Sequence, residues 1–277
     1  MTERLKLPPL PTAARVITDF ELARLKKKNA SIWCSRSQQC QTCKGAGWFT
    51  SFENDSIVEY DCDCLNQMIL SLWFANAGLA NDQMRASWQD ILAVDPAAEK
   101  IASGYVDDIE ANVSRGRGLI LQGSAGIGKT LLATLVLKWG MAHGFDGQFF
   151  LFPSFLDAYA AGWDNSEDRD WFYQKAGSTP LLVIDDVGKE ADSRSGSSIM
   201  ESFEIVIQNR VNAGLPTILS TNLTPQQLQN RYGGHIFSRL NGYADLIEMS
   251  GEDFRPMHNG VKATKAEHNF VSPVRWK

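Results

Sequence analysis

The sequence lacks several things. No apolar run approaches the ~20 residues needed to cross a bilayer, and the N-terminus has no signal-peptide layout, so a cytoplasmic protein without a membrane partner is expected. It has no excess of positive charge: 27 basic residues against 32 acidic ones leave a net charge of −5, which argues against coating nucleic acid by bulk charge. Histidine is scarce, at four residues, and none falls among the cysteines. Cysteine itself is absent from most of the chain, since all five lie between Cys34 and Cys64. There are no internal repeats. At 277 residues, 44% of them hydrophobic, the chain can bury one sizeable core and carry a smaller module beside it.

The strongest motif present is Gly123-Ser124-Ala125-Gly126-Ile127-Gly128-Lys129-Thr130. It follows the apolar run 118–122 and opens a helix-forming stretch, as a P-loop must. Glycines let the backbone curl so that N–H groups point at a triphosphate. Lys129 can neutralise the β- and γ-phosphates of ATP or the phosphates of ADP, and the Thr130 hydroxyl can hold Mg²⁺. A second motif, Leu181-Leu182-Val183-Ile184-Asp185-Asp186, reads as a buried strand with two acids at its C-terminal end. Asp185 is placed to hold Mg²⁺ through water, and Asp186 to orient or deprotonate the attacking water.

Further strands are expected at 149–152, 217–222 and 245–249. Helices are expected at about 129–143, 154–162, 167–176, 197–213 and 225–240. This alternation predicts an α/β fold with a five-stranded parallel sheet. The strand between the two nucleotide motifs resembles the ASCE division of P-loop NTPases, which implies that Asn222, at the tip of its strand, senses the γ-phosphate or the attacking water; the alternative is a turn residue before Leu223-Thr224-Pro225.

Cys40-x-x-Cys43 and Cys62-x-Cys64 flank a Gly-containing turn and a hairpin pattern. Four thiolates suit a closed, structural, tetrahedral Zn²⁺ site; a redox pair, an iron–sulfur site, or a set in which Cys34 replaces one ligand are the alternatives. With no histidine and no open position, catalytic zinc is not expected. The expected organisation is a basic helical segment over 1–30, a zinc module over 31–75, a linker over 76–95, an ATPase domain over 96–255 and a basic tail over 256–277. The basic ends carry Arg4, Lys6, Arg15, Arg24 and Lys26 to Lys28, and Arg255, Lys262, Lys265, Arg275 and Lys277. They read as solvated tails or as contacts to nucleic acid or a partner. The stretch 188–197, with Lys189, Arg194 and several serines, reads either as a surface turn or as a contact to single-stranded DNA. Trp163 and Phe172 either stack on bases or pack inside.

Cys-x-x-Cys-x-Gly-x-Gly-aromatic, Cys-x-Cys, a linker and then a P-loop domain resemble the DnaC/DnaI-type replicative helicase loaders. Phage-encoded relatives and the IstB transposition ATPases share the AAA+ part. The resemblance runs from about Cys40 to Arg255 and includes Leu-Leu-Val-Ile-Asp-Asp-Val-Gly, Phe203 to Arg210, Gly214 to Asn222 and Arg231 to Arg239. It implies the ASCE division of P-loop NTPases, with Asn222 as sensor and Arg239 as an arginine finger reaching a neighbouring subunit. Arg255 matches a closing Gly-x-x-aromatic-Arg and reads either as a nucleotide-sensing arginine or as a salt-bridge residue. Gly234-His235 stands where the family often has Glu-Arg. Asp186 is one methylene shorter than the glutamate of many related ATPases, which suits slow hydrolysis and an assembly switch. The implied partners are a hexameric, DnaB-like replicative helicase, single-stranded DNA and further copies of the chain. An IstB-like helper assembling on duplex DNA is the alternative. A small-molecule kinase fits the Asp-Asp pair and the Asn222 strand poorly.

Overall fold

The computed structural model describes residues 23, 27, 40–44, 46, 48–53, 56–88, 90, 95–189, 197–251 and 253. Expectations placed on Cys34, Arg194, Arg255, the tail 256–277 and nearly all of 1–30 lie outside these residues. The chain divides into two compact units, with the division between Arg85 and Ala86.

In the first unit, β1 (Trp48–Glu53) pairs antiparallel with β2 (Ser56–Asp61) in a register from Trp48 opposite Asp61 to Glu53 opposite Ser56. Directly opposed residues share a face, so Phe49 stacks on Tyr60 with ring centroids 5.7 Å apart. Helix α1 (Asp63–Asn76) follows at once and buries Met68, Ile69, Leu70, Leu72 and Phe74; a short α2 (Asn81–Arg85) falls inside the expected linker.

The second unit begins with α3 (Pro96–Asp107) and α4 (Ile109–Ser114). Asp95 caps α3, accepting from the Ala97 N–H at 2.9 Å, and Pro96 at the first helical position has no N–H to leave unpaired. Five parallel strands follow: β3 (Gly118–Gln122), β4 (Gly147–Leu151), β5 (Leu181–Val187), β6 (Thr217–Thr221) and β7 (Ala244–Glu248). Their order across the sheet is β4-β5-β6-β3-β7. One strand, β6, therefore stands between the P-loop strand and the acid-bearing strand. The central strands are buried on both faces, as in a sheet covered on both sides, with Leu119 to Leu121 and Leu181 to Ile184 apolar throughout.

Helix α5 (Lys129–Ala142) is buried almost all round and packs on β4, β5 and β6. The other face of the sheet is covered by α6 (Phe152–Ala161), α7 (Ser166–Phe172), α8 (Ser197–Asn212), α9 (Pro225–Tyr232) and α10 (Gly234–Tyr243). An aromatic cluster fills that side: Phe152 meets Phe203 at 5.3 Å and Phe155 meets Phe172 at 5.2 Å, both edge to face. Arg210 of α8 is 0% exposed. Its guanidinium donates to the carbonyls of Ala176, Thr179, Pro180 and Pro216 and to Thr217 Oγ1, tying α8 to the turns that start β5 and β6. Burial pushes its pKa down to about 9, so it stays charged at neutral pH.

Two expected helices differ in shape. The helix expected at 167–176 ends at Phe172 and continues as a single π-turn, Tyr173–Gly177. The helix expected at 225–240 breaks at Gly233, whose φ of 90° and ψ of 152° no helix contains. The break lets α9 and α10 turn Leu228, Tyr232, Ile236 and Leu240 onto one core.

Candidate functional site: a P-loop junction and a four-cysteine cluster

The P-loop joins β3 to α5. Gly126 and Gly128 have φ of 83° and 94°, values that a side chain makes costly, and Gly128 is the residue that enters the helix. Lys129 is only 5% exposed. Its ammonium donates to the Gly123 carbonyl at 3.0 Å, the Ser124 carbonyl at 2.6 Å and Asn222 Oδ1 at 2.7 Å. The lysine and the sensor candidate are therefore in contact, although 93 residues separate them. The sheet order explains it: β6 lies beside β3, and Asn222 directly follows β6.

Thr130 Oγ1 donates to both oxygens of Asp185, at 3.1 and 2.9 Å. The two expected magnesium ligands thus share one point. Asp185 is 1% exposed and also accepts from Ser220 Oγ. Burial raises its pKa, the Ser220 and Thr130 hydroxyls work against that rise, and neighbouring Asp186 adds to it. The register between β5 and β6 shifts between Ile184 and Val187, and within that bulge Asp186 has φ of 61°. Its N–H donates to Ser220 Oγ at 2.9 Å, and its carboxylate pairs with the Lys189 ammonium at 2.8 Å. The two acids are thereby turned in different directions, one inward to Thr130 and one toward the half-buried rim.

Ser220 is a site residue the motifs missed. It bridges the two acids, accepting from the backbone of one and donating to the carboxylate of the other. The signal was its place at the end of a strand that must lie beside the acid-bearing one. Ser124 and Ala125 are exposed, and Ile127 is buried. Arg239 is half-buried on α10. Of the two aromatics with open readings, Phe172 is 1% exposed in the core and Trp163 is 61% exposed. Lys189, read either as a surface-turn residue or as a DNA contact, turns back on Asp186.

The four cysteines form a separate site in the first unit. Their Sγ atoms all lie within 4.8 Å of one another, with Cys40 to Cys62 at 3.6 Å and Cys43 to Cys64 at 3.2 Å. Ligands at ~2.3 Å in a tetrahedron place sulfurs about 3.8 Å apart, so the set fits Zn²⁺ with little adjustment. The backbone prepares it: Lys44 N–H donates to the Cys40 carbonyl at 2.9 Å, Lys44 takes a φ of 50°, and Cys62 is the N-cap of α1. Burial disfavours the Cys40 thiolate, yet hydrogen bonds from the Cys43 and Thr42 backbone and from the Cys64 and Cys62 thiols outweigh it and hold its pKa at about 6. Burial and the neighbouring thiols push Cys64 up, and burial pushes Cys62 up.

The chain matches no protein-family model. It is 24% identical over 194 residues to the replicative helicase loader DnaI of Bacillus subtilis (strain 168), covering 64% of this chain and 60% of that protein. It therefore spans about three fifths of the length of that relative. The crystal structure of the DnaC helicase loader aligns with a TM-score of 0.54 at 24% identity, over 62% of this chain and 100% of that one. A crystal structure of DnaI gives 0.53 at 24% identity, over 62% and 95%. The sequence homology to DnaI and the fold shared with these loaders agree with the resemblance carried by the motifs, and the five-stranded parallel sheet is that of the AAA+ α/β fold.

Proposed function

We propose that this chain is an ATPase that helps place a hexameric replicative helicase on single-stranded DNA. The observation that carries the reading is the junction where Lys129 meets Asn222 and Thr130 meets Asp185. Both contacts join residues of separate motifs that phosphoryl transfer needs at one point. In this reading Mg²⁺, held by Thr130 and through water by Asp185, would offset phosphate charge. Lys129 binds the β- and γ-phosphates, Asn222 senses the γ-phosphate, and Asp186 orients the water that attacks it. Arg239 is supplied by a neighbouring copy. The Asp186 carboxylate is engaged by the Lys189 ammonium at 2.8 Å and must turn from it to meet the water, which accords with slow, switch-like hydrolysis.

The N-terminal region is assigned to the helicase. There β1 and β2 present Trp48, Phe52 and Ile57 on one face of the hairpin, all exposed. The four thiols are assigned to one structural zinc. That module favours the loader over the transposition helper, because IstB-type proteins usually lack it. Among the described residues no helix is long and apolar enough to cross a membrane, which accords with action in the cytoplasm.

The test has two parts. Lys129→Ala should lose most ATP binding, while Asp185→Asn should lose hydrolysis more than binding; unchanged turnover in both variants would falsify the site. A pull-down from the source cell should recover a hexameric helicase. Assembly on duplex DNA without a helicase would support the transposition helper instead.

A further inference from the structure

The segment that follows β7 runs back across the P-loop. The Met249 N–H donates to the Gln122 carbonyl at 2.7 Å, one residue before the loop. Ser250 is then held by Asp95, whose Oδ2 accepts from its N–H and its Oγ, each at 3.1 Å. Asp95 is itself fixed as the cap of α3, and these hydrogen bonds keep its carboxyl ionised below the usual range. Further along, the Asp253 carboxylate lies against Gly126: a Cβ built on that glycine would fall on it. A Cβ on Gly123 would likewise strike the Met249 carbonyl. The chain after β7 thus lies against two of the loop's glycines, at Met249 and at Asp253, where a side chain on either glycine would clash.

A phosphate cradle gathers backbone N–H groups around an anion. A carboxylate at its wall opposes the phosphates the cradle receives. We propose that Asp253 sets the affinity and lifetime of nucleotide on this P-loop, weakening the hold on ADP so that product leaves and the switch resets. The inference rests on the P-loop being the nucleotide site. Nucleotide entry must either bear the repulsion or push the segment aside, and both routes lower affinity. A unit charge several ångströms from a phosphate, partly screened by solvent, is worth about tenfold in binding. Asp253 acts here through charge and position and takes no part in bond breaking.

Binding and release of a fluorescent ADP analogue with Mg²⁺ would be measured on the full-length chain and on Asp253→Asn, Asp253→Ala, Asp253→Glu and Lys129→Ala variants. Asp253→Asn and Asp253→Ala should bind about tenfold tighter and release more slowly. Asp253→Glu should stay near the parent. The gap between parent and Asp253→Asn should narrow as salt rises, which a purely steric role of the side chain would not produce. If Asp253→Asn binds no tighter while Lys129→Ala abolishes binding, the proposal fails and the nucleotide site stands. If Lys129→Ala binds as well as the parent, nucleotide sits elsewhere and both readings fall.

Discussion

The Asp185 carboxylate lies at the C-terminal end of β5 and receives hydrogen bonds from Thr130 and Ser220. Burial nonetheless raises its pKa, because two hydroxyls replace water incompletely. The sign of the stability effect follows. The folded value lies above that of the unfolded chain, near 3.9, so folding takes up a proton between the two. The contribution of this group is greatest below the unfolded value and is lost as pH rises through the folded one. At neutral pH the ionised carboxylate therefore weakens the fold it belongs to, and what favours keeping it is its place beside Thr130. Asp185→Asn keeps the shape and removes the charge. Without added magnesium or nucleotide, the thermal midpoint of the sheet-containing unit should rise by a few degrees near neutral pH. The gain should fade on acidification, as the parent carboxyl takes up its proton. A series of melts across that range reads both effects; a less stable asparagine variant at neutral pH would show that the hydroxyls already compensate the charge.

At the scale of elements, the hairpin of β1 and β2 has little to hold it. Two strands of six residues with Trp48, Phe52 and Ile57 exposed bury too little apolar surface to fold alone. The turn at Cys40–Lys44 and the start of α1 bring the four thiols together at the end of the hairpin, and a metal there would supply on the order of 10 kcal/mol toward folding. Metal analysis should find about one zinc per chain. Chelation should remove the near-ultraviolet signal of Trp48 while nucleotide binding by the other unit persists. If Cys34→Ser released the metal and Cys64→Ser kept it, the ligand set would be wrong. These elements were legible in the sequence for a local reason: a P-loop, a Cys-x-x-Cys turn and an apolar run ending in two acids each carry their chemistry within a few residues. What was not legible depends on neighbours distant in sequence. Ser220 matters because β6 lies beside β5, the break at Gly233 because two short helices cover the core better than one, and Asp253 because the chain returns over the P-loop after β7. The phenylalanine at 172 could be read either way until the aromatic cluster around Phe155 enclosed it.

At the scale of the whole molecule, the cysteine-bearing unit and the sheet-containing unit each have their own compact set of contacts, and the proposed chemistry needs a second copy of the chain. Lys129, Thr130, Asp185 and Asn222 converge within one chain. Arg239 sits apart from that junction's hydrogen bonds, half-buried on α10 with Ile236 and Leu240 anchoring the helix on the core. A finger that serves a neighbour must be fixed to its own chain and point away from its own site, and a short helix pinned by two apolar residues meets the first condition. The second is tested by complementation. Arg239→Ala should leave nucleotide affinity nearly intact and slow hydrolysis roughly 10³-fold. Lys129→Ala should bind little nucleotide but still offer its own Arg239. In a mixture, an Arg239→Ala chain can hold ATP while a Lys129→Ala chain supplies the guanidinium, so turnover should partly return although neither variant is active alone. The recovered rate should peak at an intermediate ratio, because only mixed interfaces are competent. A mixture no faster than the sum of its parts at every ratio would place Arg239 outside the shared site and leave each chain to hydrolyse ATP without its neighbour.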